Sequence, residues 1–445
     1  MRTLLLATLL AFPAAQAERP PNIVFILADD LGWTDVGCQG SRYYETPAID
    51  RLAAQGMRLT QYLHCQNCAP TRAALMSGQY PPRTGVYTVG SLERGDAKDR
   101  AMEVPKNETA LPLDRTTLAQ ALKSAGYATA MFGKWHLGQQ GPHHPGRRGF
   151  DEAIVSMGRH FDFVTMPKVD VPKGAYLADW LTDRAVEFLE KSREKPFFLY
   201  LPHFGVHSPH QAKPELIEKY KGMAAAGGHK SPVYAAMIES VDQSVGRVLA
   251  KLDELKLAEK TIVIFSSDNG GVGTITDNAP LRGAKGMLYE GGVRVPFIVR
   301  WPGVVKPGTT SDEAAVHVDL YPTFCEVAGA KRPEKQVLDG VSLVPLLKDA
   351  SAKLGREAIY YHFPGYLEGG GPGQWRTKPV GTIRAGDWKL LEFFEDGRIE
   401  LYNLKDDLGE KKDLAAAMPE KARELREKLA AWRRDVGALM PTKKG

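Results

Sequence analysis

Cysteine is scarce in this chain: four among 445 residues, at positions 38, 65, 68 and 325. So few exclude a disulfide framework. If Cys68 does chemistry, an odd number remains and one bridge at most is available. No apolar run is long enough to span a bilayer. A dominant charge sign is also missing, since 58 Lys and Arg against 53 Asp and Glu leave a formal net charge of +5. No basic block of the kind that grips nucleic acid occurs. Internal repeats and low-complexity tracts are absent. What remains is a long chain with 43% hydrophobic residues, enough for a large core.

The first 17 residues read as a secretory signal, with Arg2 as the basic region, Leu4 to Phe12 as the apolar region and Ala15-Gln16-Ala17 as the cleavage site. The mature protein is then expected to start near Glu18 and to be exported, periplasmic or secreted. Asn107-Glu108-Thr109 is a glycosylation sequon. Gly369-Gly370-Gly371-Pro372-Gly373 reads as a flexible loop.

Four apolar runs each end in polar chemistry. Asn22 to Ala28 stops at Asp29-Asp30, and Ala128 to Phe132 is followed by Gly133-Lys134-Trp135-His136. Phe197 to Leu201 runs into Pro202-His203 and then His207, while Thr261 to Phe265 gives way to Ser266-Ser267-Asp268-Asn269-Gly270. Such runs suit strands buried on both faces of a largely parallel sheet. Amphipathic stretches separate them (116–124, 179–191 and 233–255), which implies βαβ units and an α/β fold. Ligands of such sheets bind beyond the carboxyl ends of the strands, where all four polar clusters lie.

Asp29, Asp30, Asp268 and Asn269 are hard oxygen donors that suit calcium or magnesium. The same residues also suit a helix cap at 29–30 and a tight turn at 268–270. His136 and His207 are candidate proton carriers; His203 reads as a core histidine. Lys134, if buried at a strand end, needs an anionic partner, and a bound oxyanion would serve; a solvated lysine is the alternative.

The segment around Cys68 carries the sharpest signal. Cys68-Ala69-Pro70-Thr71-Arg72 sets a cysteine two residues before proline and four before arginine, ahead of a small apolar run. Cys65-Gln66-Asn67-Cys68 is also a C-x-x-C, the spacing of a redox dithiol or half a zinc site. No second cysteine pair exists to complete a zinc site, and the chain is far longer than a thioredoxin-like domain.

Cys68 to Arg72 resembles the sulfatase signature C-x-P-x-R, in which the cysteine is oxidised to Cα-formylglycine. Gly126 to His136 resembles the second sulfatase signature, Pro21 to Trp33 the opening strand, and Leu281 to Pro296 the lysine loop. Thr71 and Ser77 exchange the usual serine and threonine. The resemblance implies an alkaline phosphatase-like α/β fold, with a large mixed, mostly parallel sheet flanked by helices and a small antiparallel C-terminal subdomain. On this reading residues 18–350 form the catalytic domain and 351–445 the subdomain.

The resemblance also implies that Asp29, Asp30, Asp268, Asn269 and residue 68 hold Ca2+, with Mg2+ as the other candidate. Arg72 would stabilise the formylglycine hydrate, and Lys134, Lys285 and His207 would bind the sulfate, with His207 as the acid. His136 would take the proton that releases sulfate from residue 68. A formylglycine-generating or anaerobic sulfatase-maturing enzyme becomes an expected partner, and a disulfide between Cys65 and Cys68 would block its work.

Past residue 350, Ile383 to Phe394 and Ile399 to Asn403 read as a hairpin around Glu395-Asp396-Gly397, and a basic helix runs from about 419 to 436. Arg159, His160, His362, Trp375 and Arg376 are candidates for the pocket mouth, where aromatics and arginines suit a sulfated sugar or other small sulfate ester; the other reading is that they are ordinary loop residues. A phosphoesterase or phosphonate monoester hydrolase on the same scaffold is the alternative. A non-catalytic glycan-binding protein is the third reading, should Cys68 stay unconverted.

Overall fold

The computed structural model describes residues 19–371 and 373–444, so the signal segment read at 1–17 lies outside the described residues. Its centre is an eight-stranded sheet. The strands are β1 (Asn22–Ala28), β2 (Met57–Leu59), β3 (Ala128–Gly133), β4 (Glu152–Val155), β5 (Phe197–Pro202), β6 (Thr261–Ser267), β7 (Phe297–Arg300) and β8 (Thr309–Ser311). They lie in the order β8-β2-β7-β6-β1-β5-β3-β4. The five from β6 to β4 are parallel, while β7 runs antiparallel to β6 and β2 antiparallel to β7.

β1 sits in the middle because both of its faces are apolar. Val24, Ile26 and Ala28 enter one buried cluster, and Ile23, Phe25 and Leu27 enter the other, as the period-2 alternation of a strand requires. Helices α1 (Pro47–Ala54), α4 (Leu177–Ser192) and α5 (Pro232–Glu254) cover the first face. Helices α2 (Cys68–Ser77), α3 (Leu118–Ser124) and α6 (Leu320–Ala328) cover the second. α3 begins one residue after Thr117, whose side chain forms a capping box with Gln120.

The backbone ladder continues past the strand ends. Asp29 N donates to Gly205 O (2.9 Å), Asp268 N to Ala28 O (3.1 Å), His203 N to Leu27 O (2.9 Å) and Lys134 N to Pro202 O (2.8 Å). Main-chain bonds therefore tie together the four segments that carry the polar clusters.

A second, antiparallel sheet follows: β9 (Ile359–Phe363), β10 (Val380–Ala385), β11 (Trp388–Phe393) and β12 (Ile399–Asn403), with α7 (Pro419–Asp435) packed on it. The stretch expected as one strand from 383 to 394 is in fact two. It reverses at Gly386-Asp387, where Gly386 takes φ +56° and Ala385 pairs with Trp388. A Gly-Asp pair between two apolar runs is a two-residue turn signal, and here it outweighs their hydrophobic continuity.

No described helix is long and apolar enough to cross a membrane. All four cysteines are free. At the sequon, Asn107 Nδ2, the nitrogen a glycan would use, already donates to Thr88 O (3.1 Å) and Gly90 O (2.6 Å). Its Oδ1 accepts from Tyr87 N and Thr88 N (2.8 and 3.2 Å), so this amide shapes the 87–90 loop.

Glu290 joins the two sheets. Buried, it lies 3.0 Å from Lys389, 2.9 Å from Arg294 and 3.6 Å from Arg384, and Lys389 also meets Glu410 at 2.9 Å. Burial pushes the Glu290 carboxyl up, but Lys389, Arg294 and Arg384 together hold it well below its usual range. A depressed carboxyl stabilises the fold above the unfolded value near 4.5 and loses that contribution as pH falls through the folded value. Glu290→Gln is therefore expected to cost about 3–5 kcal/mol at pH 7. Urea unfolding of both proteins at pH 7 and below pH 4 should show that gap narrowing in acid.

Candidate active site

Cys68 opens α2, a helix whose ten residues are all buried. Pro70 is tolerated there because the first turn needs no N–H from it. Cys68 and Arg72 stand four residues apart and so share one face. The thiol sits at the positive end of the helix, 3.3 Å from His136 Nδ1. Burial nevertheless pushes this thiol up, against the pull of Lys134 and Lys285, so an unmodified Cys68 is held as SH.

Arg72 is buried and binds three elements at once. Its Nη2 and Nε donate to Asp268 Oδ2 (2.7 and 3.1 Å), Nη1 donates to Lys134 O (2.5 Å), and Asp29 Oδ2 lies 3.7 Å away. Lys134 Nζ reaches Asp29 Oδ2 at 2.5 Å, and Lys285 Nζ reaches Asp30 at 2.7 Å. Asn269 Nδ2 donates to Asp30 Oδ1 (2.9 Å), and Asp30 N to Asp268 Oδ1 (3.2 Å). Residues distant in sequence thus converge on one buried charge cluster.

The carboxylates differ in state. Burial raises Asp29, yet Lys134, His207 and Arg72 pull it well below the ordinary range. Asp268 is pushed up to about 7 by burial and by Asp29, with Arg72 opposing. Asp29 and Asp30 cap no described helix; Asp30 instead takes φ +65°, costly for a non-glycine residue. Tyr234 supports that turn, with its hydroxyl 3.1 Å from Asp30 O and 2.7 Å from Asp35 Oδ2.

Asp29 Oδ1 and Asn269 Oδ1 are buried acceptors without a hydrogen-bond donor, which is expensive unless a ligand meets them. The ligating atoms of Asp29, Cys68 and Asp268 lie within 4.8 Å of one another, as do those of Asp29, Asp30 and His207. The cluster therefore fits a metal ion. Oxygen donors dominate it, as a hard cation requires.

The histidines separate by environment. His136, at φ +62°, is driven well below its usual value by burial and then by Lys134 and Arg72, so it is neutral. His207 Nδ1 lies 2.6 Å from Ser208 O, a contact only an N–H satisfies, which leaves Nε2 toward Asp30 at 3.7 Å. His203 is a core residue bonded to Ser244 Oγ at 2.9 Å.

Cys68, Lys134, His136, His207, Lys285 and Arg376 line one cavity of about 420 Å³. The other residues expected at its mouth are placed differently. His160 is buried and supports the site from behind, its Nε2 2.8 Å from His207 O. His362 is buried against Leu439 O at 2.8 Å and does not face the cavity. Trp375 packs on Tyr366 (ring centroids 4.7 Å apart) and lines a neighbouring cleft. Arg159 is exposed beside Gly158, a lining residue. Sequence reasoning missed Arg94, Thr88, Met157 and Leu367 on the walls; they sit on loops and short ribbons, with no apolar run to point at them.

The sulfatase family model matches residues 21–330, and that for the C-terminal part of N-sulphoglucosamine sulphohydrolase matches 284–435. The chain belongs to the sulfatase family. A sulfatase of Formosa agariphila is 37% identical, over 96% of this chain and 92% of its own. The steryl-sulfatase of Mus musculus is 33% identical, over 80% of this chain and 69% of its own. Among solved structures, Ps i-CgsB in complex with k-i-k-neocarrahexaose superposes with a TM-score of 0.80 at 30% identity, over 93% of each chain. This sulfatase is a hydrolase of sulfate esters, with Cys68 at the centre of its site.

Arg72→Met leaves Asp268 and Asp29 buried without their guanidinium. Its unfolding free energy should fall by about 3–5 kcal/mol, read from the denaturant midpoint; an unshifted midpoint would contradict the role given to this cluster.

Proposed function

We propose that this sulfatase removes sulfate from a sulfated carbohydrate, using a formylglycine made from Cys68 and a bound Ca2+. The observation that carries the reading is the ring of cations and histidines around the Cys68 end of α2, opening on one cavity. Carbohydrate is favoured over sterol by the arginines of the mouth and by the likeness, over 93% of both chains, to a protein solved with an oligosaccharide.

A sulfate ester is an anion that repels nucleophiles, so its charge must be offset before attack. Lys134 and Lys285 would meet the sulfate oxygens from two sides, each kept protonated by its aspartate although burial opposes it. With both ring nitrogens protonated, His207 would keep Nδ1–H on Ser208 O, bind a third oxygen through Nε2–H and hand that Nε2 proton to the departing alcohol. Neutral His136, beside residue 68, would take up the proton in the second half of the cycle. Arg72 would favour the ionised form of the nucleophile. Converted to the hydrated aldehyde, residue 68 supplies one hydroxyl to attack sulfur and a second to expel the sulfate. Calcium, held by Asp29, Asp30, Asp268, Asn269 and residue 68, would supply positive charge against the reacting oxygens.

The reading includes residues 18–350 as the catalytic domain and 351–445 as the subdomain that completes the cavity wall. It also includes export by the N-terminal leader and conversion by a maturing enzyme before folding buries Cys68.

Peptide mass spectrometry across Cys68, after co-expression with a formylglycine-generating enzyme, should show a loss of about 18 Da relative to the thiol. Cys68→Ala should then release no sulfate. An intact thiol with full turnover would refute the mechanism, and faster turnover of phosphate or phosphonate monoesters would replace the substrate class. Calcium at about 100 times its Kd should add about 2.7 kcal/mol to the stability of chelator-treated protein. Thermal unfolding would register the gain, which Asp29→Asn should abolish.

A further inference from the structure

Among the described residues the cavity is lined by four permanent cations, Lys134, Lys285, Arg94 and Arg376, and by no carboxylate. Lys134 and Lys285 pair with the acids below it. The two arginines do not. Arg94 donates from Nε to Ser91 O (3.2 Å) and from Nη2 to Val89 O, carbonyls that hold it without neutralising it. Arg376 is exposed, and among the described residues neither arginine forms an ion pair.

Both arginines are held in place. A Cβ on Gly286 would lie 2.8 Å from Arg376 Cδ, so the Arg376 stem crosses that glycine, next to Lys285. Thr377 Oγ1 bonds Gly286 O at 2.5 Å and fixes the ribbon that carries Arg376 to the lysine loop. The Trp375 ring lies against Gly95, where a Cβ would be 2.5 Å from it, and Gly95 N donates to Glu368 Oε1 (3.2 Å). The residues following Arg94 and preceding Arg376 are therefore in contact.

One sulfate group is met by the inner lysines and His207, which leaves the outer pair as surplus charge. A planar guanidinium binds an oxyanion through two parallel bonds, better than it binds water or a neutral hydroxyl. We propose that Arg94 and Arg376 form a second anion subsite, which takes an oxyanion carried by the sugar next to the one being desulfated. The substrate class is then a multiply charged glycan rather than a singly sulfated one. This inference rests on the carbohydrate sulfatase reading.

The test uses full-length protein whose conversion at residue 68 has been verified by mass. Sulfate release is measured from three disaccharides, all sulfated on the ring to be cleaved, whose second ring is neutral, sulfated or a uronic acid. The expected result is a kcat/KM about 10- to 100-fold higher for one or both doubly charged sugars, carried mainly by KM. That preference should shrink as NaCl rises. It should collapse to within a few-fold in Arg94→Gln/Arg376→Gln and return in part in the double lysine variant. Which second ring gains more identifies the oxyanion as sulfate or carboxylate. Equal rates on all three sugars, or a preference that survives in the double glutamine variant, overturn the subsite and leave the sulfatase reading standing. No release from any of the three ends the carbohydrate reading and the subsite with it. A wild-type preference unchanged by salt overturns the subsite even if the variants fold poorly.

Discussion

Keeping three carboxylates and three cations out of water at one place is the constraint on which this structure turns. Asp29, Asp30 and Asp268 cannot be buried alone, since an isolated ion in a protein interior is far too costly. Arg72, Lys134 and Lys285 come from three different segments to meet them, and each arrives with fixed geometry. The parallel sheet serves that meeting: its strands end side by side, and the main-chain bonds beyond their ends hold the acids in register. The strained turns at Asp30 and His136 persist because the surroundings determine them from several sides.

The C-terminal sheet has a related duty. Glu290 follows the lysine loop and is buried among Arg294, on the segment leading into β7, and Arg384 and Lys389 of the small sheet. Gly286 N donates to Gln66 O (2.8 Å), which ties the same loop to the approach of α2. Lys285 is thus fixed from below by the main sheet and from the side by the small one. The ribbon carrying Arg376 completes the wall above it.

Much of this was legible in the chain itself. β1, β3, β5 and β6 announced themselves as apolar runs because strands buried on both faces carry no alternation to hide them. The residues after each run could be read as one site because parallel strands must end together. The reading failed where tertiary contacts decide. His160 and His362 are titratable residues in loop or edge positions, and the chain shows nothing of the carbonyls that draw them inward. Trp375 turned to Tyr366 because an aromatic neighbour was within reach. The Gly386-Asp387 reversal was a local signal, overlooked because apolar residues continue on both sides of it. Arg94 lay in a polar loop whose partners are main-chain carbonyls, which no spacing rule reveals.

The walls around the cavity are bonded to one another, through Tyr366 N to Leu92 O (3.2 Å) and Gly95 N to Glu368, and to the site beneath them through side chains, Thr377 Oγ1 to Gly286 O and Asn67 Nδ2 to Thr88 Oγ1. The inner layer, the ladder that joins Asp29, Lys134, His203 and Asp268, is main chain throughout. Changes in the outer walls reach that frame through those side-chain bonds. Changes in the inner layer reach every part of that frame at once. Side chains in the walls are thus open to exchange one at a time, whereas the strand ends answer together.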